Sequence, residues 1–114
     1  MFHDIIQSVM DAEEACKKIQ KFAEGYTLET YEQNELTRSA IERKFGILGE
    51  ALNRVDAADP TFRDYLPEMG KVIGMRNRIN HGYDRVLNPL LWDAVKNNVP
   101  DLQNKLSAWL DKNG

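Results

Sequence analysis

Ile41-Glu42-Arg43-Lys44-Phe45-Gly46-Ile47-Leu48-Gly49-Glu50-Ala51-Leu52-Asn53-Arg54-Val55 decides the fold. Its apolar seam, Ile41, Phe45, Leu48, Leu52 and Val55, recurs at steps of three and four residues. That near-heptad spacing suits a helix packing along a bundle neighbour. A strand would instead alternate with a period of two. The pattern predicts one long helix from about Leu28 to Val55, started by Thr27 or Thr30. Thr30 has Gln33 three residues on, the arrangement of a capping box. Asp59-Pro60 ends the run, because proline disfavours helix in the residue before it.

Working outward, Phe2, Ile5, Ile6, Val9, Cys16, Ile19 and Phe22 form an apolar stripe at helical spacing, which predicts a first helix over Phe2 to Ala23. Gly25 can stop it in the left-handed conformation. Past the long helix, Pro60 to Pro67 reads as a connector with one short helical turn. A third helix follows from about Pro67 to Asn80, with Val72, Met75 and Ile79 on one side and Gly82 closing it. Asn88 and Pro89 then open a fourth as cap and first helical residue. Leu91, Val95, Leu102, Leu106 and Trp109 supply its seam, and Pro100 must kink or break it. The expected fold is an all-α up-and-down bundle of four long helices plus a short helix, one domain over residues 1–114.

Composition narrows the class. A chain of 114 residues, 42% hydrophobic and 29% charged, matches a soluble globular domain rather than a disordered one. No apolar run approaches the ~18 residues of a membrane span. Met1-Phe2-His3-Asp4 lacks a secretory start. The single cysteine, Cys16, allows no internal disulfide and reads as a small core residue, and with two histidines the chain offers too few ligands for a Cys/His zinc site. A cytoplasmic location, without membrane, metal or cofactor, is expected. The net charge of −3 argues against holding nucleic acid by bulk electrostatics. Yet Lys71, Arg76, Arg78 and Arg85 face only one anion, Asp84, between positions 71 and 85. A local anion site fits that segment, and so does a solvated charged face.

The same segment contains Arg76-Asn77-Arg78-Ile79-Asn80-His81-Gly82-Tyr83. At about 100° per residue, Asn80, Asn77 and His81 fall on one flank of the third helix, beside the core positions. Surface helices usually carry Lys and Glu there. This flank offers hydrogen-bond donors and one group that titrates near neutrality. A guanidinium fork matches phosphate oxygens, and histidine can exchange protons with a 2′-hydroxyl or a leaving oxygen. Metal-free cleavage of RNA fits the set, with Arg76 and His81 catalytic and Asn77, Arg78 and Asn80 supporting or binding RNA. DNA lacks the attacking hydroxyl. Arg76 and His81 lie about 140° apart on an ideal helix, and one histidine is short of the acid and base the reaction wants. A two-fold homodimer would ease both difficulties by placing two copies of each in one cleft. The competing reading is a helix C-terminus whose Arg and His complement the helix dipole. Trp92 and Trp109 read as core or interface anchors.

The order Arg76-x4-His81-x-Tyr83 resembles the signature of the HEPN superfamily, specifically its HepT-like toxin branch. Ile41 to Ala51 is similar to that branch's second-helix motif, and Leu91-Trp92-Asp93-Ala94-Val95-Lys96-Asn97-Asn98-Val99-Pro100-Asp101-Leu102 to its fourth. The resemblance spans essentially the whole chain. It implies a homodimeric, metal-independent RNA endonuclease, the toxin of a type VII-like toxin–antitoxin pair, with Arg76 and His81 catalytic. It further implies that a minimal nucleotidyltransferase antitoxin (MntA-like) moves AMP from ATP onto Tyr83. Glu50 belongs to the second-helix motif and is a candidate partner for Arg76. The alternative within the same superfamily is a non-catalytic helical module that binds a nucleotidyltransferase or a nucleotide.

Overall fold

The computed structural model describes residues 2–80 and 87–114. They form α1 (Phe2–Ala23), α2 (Leu28–Gln33), α3 (Glu35–Ala58), α4 (Phe62–Tyr65), α5 (Met69–Asn80), α6 (Leu87–Asn97) and α7 (Val99–Asn113). Among the described residues there is no strand. The all-α expectation therefore holds, with two of the expected helices each divided in two.

The first division falls at Asn34. Its backbone is extended (φ −109°, ψ 94°), and its side-chain oxygen accepts from the Thr37 N–H at 2.9 Å, so α3 starts at Glu35 instead of running on from Leu28. Tyr26 secures the corner, its phenol oxygen meeting Asn34 Nδ2 at 3.2 Å and Thr37 Oγ1 at 3.0 Å. The capping box also moves. Thr27 accepts from the Thr30 N–H at 3.2 Å while Thr30 Oγ1 accepts from the Thr27 N–H at 2.8 Å. Capping side chains satisfy donors that no earlier helical carbonyl can reach, and this local gain outweighs continuing the apolar period. The second division is at Asn98, where a new helix begins with Pro100 in its first turn, the position at which a missing N–H costs nothing. The start of α6 also differs from expectation. It begins at Leu87, so Asn88 and Pro89 sit inside its first turn. Gly25 behaves as expected, stopping α1 at φ +80°. Gly82 lies outside the described residues.

α3 is the central element, packed on α1 along one side and on α5 along another. α7 lies against α1, and α6 fits between α7, α5, α2 and α1. Ile41, Phe45, Leu48, Leu52 and Val55 are all fully buried, as their spacing predicts. They join Val9, Ala12, Cys16 and Ile19 of α1 with Leu91, Leu102 and Leu106 in one core. Burial pushes the Cys16 thiol well above its ordinary pKa, with Glu13 adding to the effect, so it behaves as a small apolar side chain. Trp92 is an internal anchor, stacked on Tyr31 at 4.8 Å, and Trp109 rests against Phe62 at 5.4 Å. No helix is long and apolar enough to cross a membrane among the described residues.

α5 returns antiparallel to α3. Arg63 of α4 grips Asp56 near the end of α3 with two bonds of 2.7 and 3.0 Å, and its guanidinium also abuts Gly70 at the start of α5. The bonds from Arg63 hold the Asp56 carboxyl below its usual range. Farther along, Gly49 meets Val72 and Arg76. The last turn of α5 therefore runs back toward the first half of α3.

Candidate active site

Gly49 controls how close these two helices come. A Cβ built there would lie 2.9 Å from Arg76 Cγ, nearer still to Arg76 Cβ, and 3.5 Å from the Val72 carbonyl oxygen. Only a residue without a side chain permits this approach. The stem of Arg76 thus lies directly on the α3 backbone. Arg76 Nε is buried without a hydrogen-bond partner, and one terminal nitrogen donates to Asn77 Oδ1 at 3.1 Å. A buried, unpaired guanidinium nitrogen carries a desolvation cost of about 1–3 kcal/mol or more.

That side chain forms one wall of a cleft of about 520 Å³ between α3 and α5. Ser39, Glu42, Arg43, Gly46, Ile47 and Glu50 line it from α3, and Arg76 with Ile79 from α5. The α3 positions follow an i, i+3, i+4, i+7, i+8, i+11 progression, one face of a helix roughly 16 Å long. The volume falls in the range of small-ligand pockets, about 300–1,000 Å³.

Charge in the cleft is uneven. Glu50 pairs with Arg54 at 4.0 Å, one turn away on α3. Glu50 and Arg76, a candidate pair from the sequence, line the same cleft from different helices with no hydrogen bond between them. Glu42 is half-buried, and desolvation raises its carboxyl pKa against the opposing pull of Arg38. Its charge also contributes to raising the nearby Tyr31 phenol, which burial alone lifts furthest.

Of the sequence-predicted residues, the structure brings Arg76 to the cleft and leaves Asn77 and Arg78 exposed on α5. Asn80 ends α5. The Asn80 side chain and the whole of His81 and Tyr83 lie outside the described residues. Sequence reasoning assigned no role to Gly49, Gly46, Glu42 or Arg43. A signal existed: two glycines three residues apart on an otherwise strong helix, on faces away from its apolar seam.

A family model described as ribonuclease HepT-like matches residues 12–109, which include both walls of the cleft. The chain belongs to the HepT-like ribonuclease family. The chain is also similar to a Methanocaldococcus jannaschii protein named as an RNase, with 26% identity over 90% of this chain and 94% of that one. A Thermococcus cleftensis protein named as a ribonuclease HepT is 29% identical, over 83% of this chain and 86% of its own. A third relative, from Caldanaerobacter subterraneus and also named as an RNase, is 22% identical over 85% of this chain and 86% of its own. No solved structure matches the chain.

Proposed function

We propose that this protein is a metal-independent RNA endonuclease, the toxin of a type VII-like toxin–antitoxin pair. Membership of the HepT-like ribonuclease family supports the reaction class. The observation that carries the site is Arg76, a guanidinium with a buried, acceptor-free Nε on the wall of a cleft of about 520 Å³. In the reaction a base removes the 2′-hydroxyl proton, and the oxygen attacks the adjacent phosphorus. The bond to the 5′-oxygen breaks, leaving a 2′,3′-cyclic phosphate, and an acid protonates the departing oxygen. Arg76 stabilises the charge that grows on the non-bridging oxygens. His81 is the proton-transfer group, and a two-fold homodimer supplies the second copy. Asn77 orients the Arg76 fork, and Arg78 and Asn80 contact RNA. AMP moved onto Tyr83 by a minimal nucleotidyltransferase antitoxin would place an anionic phosphodiester beside Arg76 and shut the site.

Cleavage of RNA by the purified protein in EDTA tests this reading. His81→Ala and Arg76→Ala should each lose about 10²–10⁴-fold in rate while remaining folded dimers. Full activity in His81→Ala would remove the histidine from the mechanism. A folded parent that cleaves no RNA would leave the non-catalytic partner-binding module as the better reading. Co-expression with the antitoxin should add whole AMP units to the parent mass and none to Tyr83→Phe.

A further inference from the structure

Four charged side chains line the cleft, the carboxylates of Glu42 and Glu50 and the guanidiniums of Arg43 and Arg76. Glu50 has Arg54 at 4.0 Å. Glu42 is half-buried, and desolvation raises its carboxyl pKa. Arg43 is exposed, and no hydrogen bond or ion pair joins it to another described residue. Among the described residues, Arg76 donates to a neutral amide oxygen, that of Asn77. In a chain of net charge −3, this cleft brings together one guanidinium from each of its two helices. Like charges sharing a groove repel unless an anion lies between them, and guanidinium forks select phosphate.

The spacing along α3 indicates how many phosphates. Arg76 sits on Gly49, six residues beyond Arg43, so the stems of the two side chains are offset by roughly 9 Å along the helix axis. Gly46 lies midway, and a Cβ built there meets nothing within 4 Å, so the floor between them is clear. Ser39, one turn before Arg43, adds a neutral hydroxyl at the far end. We propose that Arg43 holds the phosphate next to the one engaged by Arg76, so that the cleft seats two successive phosphates of a single RNA strand. The inference rests on the ribonuclease reading and adds a residue that binds substrate without entering the bond-breaking step.

The test compares the parent protein, Arg43→Gln and Arg43→Lys, using a 2′-O-methyl oligonucleotide that cannot be cleaved and the matching cleavable RNA. Affinity for the analogue is measured against salt concentration. Each phosphate contact on a single strand contributes about 0.7 to the logarithmic salt slope. Arg43→Gln should lower the slope by about that amount and raise KM roughly tenfold or more, the loss of one charge-assisted contact, with kcat little changed. Arg43→Lys should keep the slope. An unchanged slope and KM in Arg43→Gln, with a parent that cleaves, overturns the second phosphate site and leaves the ribonuclease reading intact. A parent that binds no RNA overturns both. A fall in kcat at unchanged KM and slope would also reject the binding role.

Discussion

The two faces of α3 are built from opposite materials. Toward the core, Ile41, Phe45, Leu48, Leu52 and Val55 leave no exposed surface. Their packing follows from side-chain bulk, at about 25 cal/mol per Å² of apolar surface removed from water. Toward α5, close packing comes from the absence of a side chain at Gly49, while polar and charged residues border a space. One helix thus supplies stability by filling volume and a site by leaving volume empty. Because the faces share a backbone, the core face holds the cleft face in register, and a perturbation on either side can be assigned by its signature.

Breaking the core face should have the largest effect on stability. Leu48→Ala removes a fully buried side chain and is expected to cost about 2–5 kcal/mol. The shift of the urea midpoint, at unchanged m-value, measures it.

The two glycines sharpen the contrast at smaller scale. Gly49→Ala forces the added methyl into Arg76 and should cost about 1–3 kcal/mol through overpacking. Gly46→Ala meets open space and should stabilise the helix by about 0.5–1 kcal/mol. Paired thermal melts reveal the sign of each change. Equal shifts for both would mean that α3 and α5 do not approach at Gly49 as closely as described here.

The smallest effect concerns Glu42. Its folded pKa is raised above the unfolded value, so the folded state binds the proton more readily. Stability tied to this group is fully present below the unfolded value and declines as pH rises through the folded one. Glu42→Gln should therefore flatten the fall in melting temperature above the ordinary glutamate range and leave the acid end unchanged. A melting temperature falling with pH as steeply in Glu42→Gln as in the parent would contradict the burial assigned to this carboxyl.

The core face was legible because bulk repeats with helical period, and Ile41 to Val55 needed nothing beyond their own spacing. The division at Asn34 was not, because it depends on hydrogen bonds in which Asn34, Thr27 and Tyr26 take part rather than on hydrophobic period. Arg76 could be singled out by the residues around it. Arg43 and Glu42 could not, since polar residues opposite an apolar seam usually face water. Gly49 is the deepest case. Its meaning resides in Arg76, twenty-seven positions later, and no local window contains both.

That dependence has a genetic consequence. Single-nucleotide changes in a glycine codon lead to Ala, Val, Asp, Glu, Ser, Cys, Arg or Trp, and every one of these carries a Cβ. At position 49 each would collide with the stem of Arg76. Codon 49 therefore has no harmless missense neighbour as long as position 76 keeps its arginine. Codon 46, one turn away, has at least alanine open to it.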